Sequence, residues 1–296
     1  MKTTEELKNI VKDQYAKIAL QDKEDNAASC CGATPTSNKV YNIMMEDYSQ
    51  IEGYNADADL GLGCGLPTQF AKIKKGDTVI DLGSGAGNDA FVARHETGEA
   101  GKVLGIDFTE TMINKARINA DKMGYNNVEF RFGDIDNMPV GDNAADVIVS
   151  NCVLNLVPDK TKVISEIYRV LKPGGHFSIS DIVLVGDLPD ALRQDAEMYA
   201  GCVAGAIQKD EYLQKIEDQG FSNITLQKEK VISLPDDILI KYLNSEELES
   251  IKSRDTGIFS VTVYAEKPDS ETEDQLTELT TSEEAPCCEP NSTSCC

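Results

Sequence analysis

Residues Thr78–Val92 read Thr-Val-Ile-Asp-Leu-Gly-Ser-Gly-Ala-Gly-Asn-Asp-Ala-Phe-Val. The first five residues form a mostly apolar, β-branched run, which predicts a buried strand. Gly83, Gly85 and Gly87 follow at every second position, and glycine lets a chain turn tightly and approach a ligand closely. A helix is predicted from about Asp89, and the free N–H groups at its N-terminus can bind a negatively charged group. The stretch therefore predicts a strand, a glycine turn and a helix that together face a ligand.

Strand and helix alternate beyond this stretch, as far as about Asp181. Strands are predicted at Thr78–Leu82, Lys102–Asp107, Val128–Phe132, Ala145–Ser150 and His176–Ile182, and helices at Asp89–Thr97, Glu110–Met123 and Lys160–Leu171. Lys172–Gly175, which reads Lys-Pro-Gly-Gly, is expected to end the last helix sharply. This alternation predicts an α/β, Rossmann-like fold with a mostly parallel sheet and helices on both faces.

The N-terminal part of the chain is expected to be an extension of the α/β core. Residues 1–55 are predicted to form helices over about 3–22 and 40–51, separated by a small, polar loop around Cys30 and Cys31. Residues 56–185 are predicted to be the cofactor-binding core, with one further turn at Pro67–Ile73 before the first strand.

The C-terminal part is expected to be a small appended segment. Residues 186–268 are predicted to supply helices that cover the substrate, and a β-hairpin from strands at Ile224–Val231 and Ile258–Lys267. Residues 269–296 are rich in Glu, Ser and Thr and end in two cysteine pairs. Their composition predicts a disordered acidic tail.

Charge and composition exclude several classes of partner. Of the 296 residues, 41% are hydrophobic, which is enough for a globular core. The formal net charge is -23, and the resulting negative electrostatic field repels nucleic acid and anionic lipid. The first residues lack the apolar run of a signal peptide, and no stretch reaches the roughly 18 apolar residues of a membrane span. We therefore expect a cytoplasmic protein without nucleic-acid or membrane partners.

Polar residues follow each of the predicted strands. Asp107 ends the second strand about 20 residues after the glycine turn, where a carboxylate can accept bonds from both hydroxyls of a ribose. Asp134 and Ile135 follow the third strand, and Asn151 follows the fourth. Because ligands of such sheets bind at the carboxyl ends of the strands, these residues predict a nucleotide-like cofactor. A purely structural turn with a solvated carboxylate is the alternative.

The glycine turn follows an acid, Asp81, and lacks a further glycine at the spacing of dinucleotide-binding folds. Together with Asp134 after the third strand, this pattern resembles that of the class I S-adenosylmethionine-dependent methyltransferases. The resemblance implies a seven-stranded sheet whose last strand is antiparallel. It also implies that the residues binding S-adenosylmethionine are Asp81, Gly83, Ser84, Gly85, Gly87, Asp107, Phe108, Asp134, Ile135 and Asn151.

The nine cysteines form an unusual pattern of three adjacent pairs and three isolated residues. No Cys-x-x-Cys occurs, so a structural zinc site is not favoured. The isolated cysteines are Cys64, Cys152 and Cys202, each next to small residues. Buried thiols that act as small hydrophobes are one interpretation. Three thiols near the end of the sheet where the cofactor is expected also indicate a soft, thiophilic ligand such as trivalent arsenic.

The runs Leu62–Gly65, Ser150–Lys160 and Gly201–Ala206 are similar to motifs of the arsenite S-adenosylmethionine methyltransferases, and the similarity covers about residues 40–266. This resemblance implies that Cys64, Cys152 and Cys202 bind arsenic(III). It implies that Cys30 or Cys31 takes part in thiol exchange, and that a thiol reductant, thioredoxin or glutathione, restores the cysteines.

The expected function is therefore methylation of arsenite, for detoxification, by attack of thiolate-bound arsenic on the sulfonium methyl group. Methylated arsenicals are further expected substrates. Two alternatives stay open: a methyltransferase that acts on another small thiophilic or organic acceptor, and a metalloid-binding protein without catalysis. Because Cys64 lies on a glycine-rich loop, we expect a flexible cover that can lie far from the other two thiols until arsenic binds.

Overall fold

The computed structural model describes residues 4–20, 46–187, 203, 205–233, 240, 243–244, 246–249 and 256–269. The described elements are α1 (Thr4–Ile18), α2 (Pro67–Phe70), β1 (Thr78–Leu82), α3 (Asn88–Thr97), β2 (Lys102–Asp107), α4 (Glu110–Met123), β3 (Val128–Phe132), β4 (Ala145–Asn151), a 3₁₀ turn (Leu154–Leu156), α5 (Lys160–Val170), β5 (Leu171–Val185), α6 (Lys209–Asp218), β6 (Ser222–Val231) and β7 (Gly257–Glu266). Among them, no helix combines the length and the apolar character needed to span a bilayer.

The strands form one seven-stranded sheet in the order β3-β2-β1-β4-β5-β7-β6. Strands β1 to β5 pair in parallel, whereas β7 runs antiparallel to both β5 and β6. The strand order reverses between β1 and β4, which is where ligands of open α/β sheets bind. The predicted Rossmann-like fold with an antiparallel last strand is confirmed.

Alternating side chains of the central strands build a core on each face of the sheet. Ile80, Leu82 and Ile148 belong to one buried cluster, and Val79 and Val147 belong to the other. The helices cover both clusters with one apolar face each. Helix α5 illustrates this, since Val163, Ile164, Ile167 and Val170 are buried at helical spacing.

Several predicted boundaries are wrong at the ends of elements. Helix α1 ends at Ile18 rather than at about residue 22, α2 ends at Phe70 rather than at Ile73, and α5 ends at Val170 rather than at Leu171. Of the helix expected over 40–51, residues 46–51 are not helical, and 40–45 lie outside the described residues.

Strand β5 is much longer than predicted, because the Lys172–Gly175 segment belongs to it. Leu171 pairs with Ala145 of β4, so the chain passes from α5 directly into the sheet. At the other edge, the Gly174 N–H donates to Lys267 O at 3.0 Å, and the Lys267 N–H donates to Gly175 O at 2.8 Å. Backbone pairing on both sides therefore compensates for the hydrogen bond that Pro173 cannot make.

The N-terminal helix packs on the core. Ile18 and Ala19 are buried in the cluster that contains Val79, and Lys115 Nζ donates to Ala19 O at 3.0 Å. The loop that contains Cys30 and Cys31, and the tail from residue 270, lie outside the described residues. The division of the chain at residues 55, 185 and 268 stays a prediction.

Candidate active site

A cavity lies at the carboxyl ends of β1, β2 and β4. The space inside it, including the part that is open to solvent, is about 830 Å³. The lining contains residues from the glycine turn, the Cys64 loop and the end of β4: Asp59, Gly63, Asp81, Gly83, Ser84, Gly85, Asn88, Asp89, Asp107, Phe108, Asn151 and Cys152. We call this space the cofactor cavity.

The three glycines of the turn have different roles, although all have positive φ angles. A Cβ at Gly83 would lie 2.4 Å from Val153, and a Cβ at Gly87 would lie 2.8 Å from Phe91. Both positions therefore need glycine for close packing. A Cβ at Gly85 would meet nothing within 4 Å, and Gly85 lines the cavity. Its backbone leaves open space that a ligand can occupy.

Asp107 is held at the cavity by backbone hydrogen bonds. Its Oδ2 accepts from the Gly85 N–H at 3.0 Å, and its Oδ1 accepts from the Thr109 N–H at 2.8 Å. Burial raises the pKa of Asp107, and the two backbone bonds oppose that rise. Each oxygen retains a lone pair for a ligand hydroxyl.

Three buried oxygens of the cavity lining have no hydrogen-bond partner among the described residues: Asp81 Oδ2, Ser84 Oγ and Asn88 Oδ1. Burial, with the charges of Asp89 and Asp107, raises the pKa of Asp81 well above its usual range. Such oxygens can accept hydrogen bonds from a ligand, and a bound cation would favour the charged form of Asp81. S-Adenosylmethionine, the expected cofactor, carries an ammonium and a sulfonium group and fits this lining. The sequence patterns did not indicate Asn88, whose only signal is its position at the start of α3.

A second cavity of about 360 Å³ lies beside the first and contains Asp134 and Ile135. It shares Gly83, Asp107 and Phe108 with the cofactor cavity, so together they offer one elongated space. Lys8 of α1 also lines it.

Lys8 connects the N-terminal helix to this end of the site. Its Nζ lies 2.7 Å from Asp134 Oδ2 and 2.7 Å from Asp136 Oδ2. Tyr15, about two turns further along the same face of α1, lines the cofactor cavity. Sequence patterns could not indicate these contacts, because most of the predicted core separates Lys8 from Asp134 along the chain.

Asn151 joins the end of β4 to the Cys64 loop. Its Oδ1 accepts from the Cys64 N–H at 3.0 Å and the Gly65 N–H at 3.3 Å, and its Nδ2 donates to Gly65 O at 2.9 Å. The same Nδ2 lies 2.6 Å from the Tyr48 hydroxyl and 3.1 Å from Asp89 Oδ2. We call these contacts the Asn151 network. Asn151 was expected to bind the cofactor, but both its Oδ1 and its Nδ2 already form hydrogen bonds within this network.

Burial dominates the electrostatics around Asn151. It raises the pKa of Asp89 to about 6, although hydrogen bonds from Tyr48 and Asn151 lower it. Burial first, and then the charge and hydrogen bond of Asp89, raise the pKa of Tyr48 well above its usual range. Tyr48 therefore stays protonated, and its hydroxyl donates to Asp89 Oδ1 at 2.8 Å. Neither residue was predicted, because the network exists only in the folded chain.

Cys64 and Cys152 are both buried, with 0% and 2% of their surface exposed. Cys152 lines the cofactor cavity, and its φ of 63° lies in the left-handed region, where backbone strain is typical of functional sites. Its N–H donates to Ser180 O at 2.8 Å. On the other loop, Cys64 O accepts from Ser260 Oγ at 2.6 Å.

In this structure the Cys64 loop lies against the end of β4. Its backbone is bound by Asn151, the residue before Cys152, and by Ser260. Cys202, Cys30 and Cys31 lie outside the described residues. We call Cys64 and Cys152 the thiol pair.

Comparison with known proteins agrees with this geometry. A family model described as a methyltransferase domain matches residues 73–220. An arsenite methyltransferase of Halobacterium salinarum is 39% identical over 279 residues, which cover 89% of this chain and 67% of that protein. An arsenite methyltransferase of Aquipseudomonas alcaligenes is 32% identical over 251 residues, which cover 82% and 70%.

A solved structure shows the same fold. The crystal structure of an arsenic(III) S-adenosylmethionine methyltransferase from Chlamydomonas reinhardtii is similar with a TM-score of 0.58 and 28% sequence identity. The similarity covers 83% of this chain and 74% of that one.

Proposed function

Because this chain belongs to the arsenite methyltransferase family, we propose that it transfers a methyl group from S-adenosylmethionine to trivalent arsenic. One observation carries the proposal. Cys152 lines the cofactor cavity, and the preceding residue, Asn151, binds the backbone of Cys64. A thiophilic acceptor held by the thiol pair would therefore lie next to a bound methyl donor.

The chain's own residues supply the cofactor contacts. Asp107, held by the Gly85 N–H, would accept hydrogen bonds from the ribose hydroxyls of the cofactor. The open space beside Gly85 would let the cofactor approach the main chain of the glycine turn. Asp81, Ser84 and Asn88 would offer the ammonium group oxygens that have no partner among the described residues. When bound, S-adenosylmethionine supplies a methyl group on positively charged sulfur.

The acidic lining also distinguishes the donor from its product. Asp59, Asp89 and Asp107 line the cavity, and they are buried, so their charges act through a medium of low dielectric constant. The sulfur loses its positive charge on methyl transfer. The lining therefore binds the cationic donor more tightly than the neutral-sulfur product, which favours product release.

We assign the arsenic ligands to Cys64, Cys152 and Cys202, and thiol exchange to Cys30 or Cys31. Thiolates are the ligands that soft centres prefer. The attacking lone pair of arsenic carries no proton, so the transfer needs no general base. Catalysis then comes from alignment of arsenic and methyl carbon at about 3 to 3.5 Å, and from burial that excludes water.

Electron balance requires a reductant. When the arsenic lone pair forms the new As–C bond, trivalent arsenic becomes pentavalent. Two cysteine thiols can return it to the trivalent state by forming a disulfide, which thioredoxin or glutathione then reduces. This cycle needs a reducing compartment. We therefore place the reaction in the cytoplasm, with detoxification of arsenite and methylated arsenicals as its role.

The test is incubation of the full chain with arsenite, methyl-labelled S-adenosylmethionine and glutathione, followed by separation of the arsenicals. We expect label in methylated arsenic, and none when arsenite is omitted. Label in an organic acceptor, with none in arsenic, would show that the acceptor is another small molecule. Arsenite binding without formation of S-adenosylhomocysteine would show a metalloid-binding protein.

A further inference from the structure

The backbone of Cys64 and Gly65 is hydrogen-bonded by side chains from three distant parts of the chain. The N–H groups of both residues donate to Asn151 Oδ1, and Cys64 O accepts from Ser260 Oγ. Gly65 O accepts from Asn151 Nδ2 at 2.9 Å and lies 3.1 Å from the Tyr48 hydroxyl. All four polar backbone atoms of the two residues therefore have side-chain partners.

The glycines on each side of Cys64 allow this close contact. A Cβ at Gly63 would lie 2.6 Å from Asn151 Nδ2, and a Cβ at Gly65 would lie 2.5 Å from Ser180 Oγ. A side chain at either position would displace the loop or the residue it packs against. The Gly-Cys-Gly sequence therefore serves the close packing of the Cys64 backbone.

Tyr48 connects this loop with α3, the helix that follows the glycine turn. Its ring packs in a small buried cluster with Leu66, the residue after Gly65, and with Val92 of α3. Its hydroxyl lies 2.8 Å from Asp89 Oδ1 and 3.1 Å from Gly65 O. Asp89 and Val92 are three residues apart and so share one face of α3. Both the ring and the hydroxyl of Tyr48 therefore join that face to the loop.

The same hydrogen bonds form part of the wall of the cofactor cavity. Tyr48, Asp89 and Asn151 all line the cavity, whereas Cys64 and Ser260 are not among its described lining residues. A ligand in the cavity would displace water from these hydrogen bonds, and a hydrogen bond is stronger where the local dielectric constant is low. An occupied cavity should therefore hold the Cys64 loop more firmly than a water-filled one.

We propose that Tyr48 is a positioning residue that couples binding of the methyl donor to the position of Cys64. The inference rests on the proposed function, which assigns the donor to the cofactor cavity and arsenic to Cys64. A donor in the cavity stabilises the bonds of Tyr48 to Asp89 and Asn151, and these bonds fix the Gly65 carbonyl. Arsenic then binds a thiol on an ordered backbone, which lowers the entropic cost of binding. Because coupling is reciprocal, bound arsenic raises the affinity for the donor by the same factor.

The native chain tests the coupling without any substitution. Sinefungin is a donor analogue that carries an amine in place of the sulfonium methyl group and cannot transfer methyl. Cys64 is buried, so its reaction with a thiol reagent requires the loop to open. We expect saturating sinefungin to slow modification of Cys64, quantified by peptide mass spectrometry, about five- to tenfold. A rate that sinefungin does not change would overturn the proposal.

Two variants separate coupling from simple support of the loop. Tyr48→Phe keeps the ring and removes the hydroxyl. Bound arsenite should raise the affinity for sinefungin about five- to tenfold in the native chain and leave it unchanged in this variant. Ser260→Ala removes the bond to Cys64 O, outside the described cavity lining. It should speed modification of Cys64 about fivefold, the effect of one lost hydrogen bond, and sinefungin should still slow that reaction.

Tyr264→Phe is the matched control, because its hydroxyl donates to Glu266 on β7. This variant should keep the native coupling between arsenite and sinefungin. Equal coupling in Tyr48→Phe and in the native chain would overturn the proposal. Equal loss of coupling in all three variants would also overturn it, since the effect would then be a general loss of structure.

These measurements use ligand binding and thiol reactivity, so they are independent of methyl transfer. If the native chain does not methylate arsenite but sinefungin protects Cys64 only when the Tyr48 hydroxyl is present, the proposed function is wrong and the coupling stands. If the native chain methylates arsenite and sinefungin does not protect Cys64, the coupling alone is wrong.

Discussion

The cofactor cavity and the thiol pair differ in how their residues are arranged along the chain. The glycine turn and Asp107 come from one strand–turn–helix unit and the next strand, β2. Cys64 and Cys152 come from loops that precede β1 and follow β4, and Ser260 of β7 and Asn151 hold the Cys64 backbone. The first region is built by local chain geometry, whereas the second depends on pairing between distant strands.

This difference predicts that the two regions fail separately when altered. A change in the glycine turn or at Asp107 should affect the methyl donor alone. A change at a thiol should affect the acceptor alone. Asn151, which contacts the Cys64 loop and also lines the cofactor cavity, is where the two regions are joined.

Cys152→Ser should give the largest effect. We expect methylation of arsenite to fall by at least about a thousandfold, because a hydroxyl is a hard, poorly coordinating substitute for a thiolate. The affinity for S-adenosylmethionine, measured by calorimetry on the same preparation, should stay within about twofold. Full activity on arsenite would contradict the assignment of Cys152 as a ligand.

Asn151→Ala should impair both regions. Loss of its buried hydrogen bonds should lower the free energy of unfolding by about 2 to 4 kcal/mol and should make Cys64 reactive toward a thiol reagent. Asn119→Ala is the matched control, because Asn119 is also buried but bonds to Ala86 O. If the control exposes Cys64 equally, the Asn151 network does not specifically hold that loop.

Asp107→Asn should affect the donor only. We expect the affinity for S-adenosylmethionine to fall about 10- to 50-fold, the effect of losing charged hydrogen bonds to hydroxyls. Arsenite binding, followed by quenching of thiol reactivity, should be unchanged. An equal loss of arsenite binding would show that the two regions are not separable.

Lys8→Met should give the smallest effect. The pairs of Lys8 with Asp134 and Asp136 are partly exposed, so they contribute little free energy. We expect dissociation of S-adenosylmethionine to be about two- to threefold faster, because α1 loses one contact over the cavity. Lys12→Met, on the same helix beside Phe132, should have no effect. Identical rates in both variants would rule out this role for Lys8.

The sequence predicted the first region better than the second, for a physical reason. The bounds of β1, β2, β3 and α4 agree with the prediction, since apolar periodicity and glycine act locally. The Cys64 loop was expected to be mobile because glycine frees the backbone. Its hydrogen bonds to Asn151 and Ser260 could not be derived from periodicity.

Other residues could not be found from the sequence because their roles depend on tertiary contacts. Lys8 meets Asp134 only when α1 packs on the core. Tyr48 has an ordinary sequence environment, and only its burial beside Asp89 distinguishes it. The cysteine motifs did indicate positions 64 and 152, and the structure brings both to the same end of the sheet.

Methyl transfer to arsenic held by the protein's own thiols is tested most directly by an isotope-trapping experiment. The native chain is loaded with radioactive arsenite and then mixed at once with S-adenosylmethionine and a large excess of unlabelled arsenite. We predict that most of the radioactive arsenic is recovered as a methylated product in the first turnover. Methylated product that contains only unlabelled arsenic would contradict transfer to the thiolate-bound metalloid.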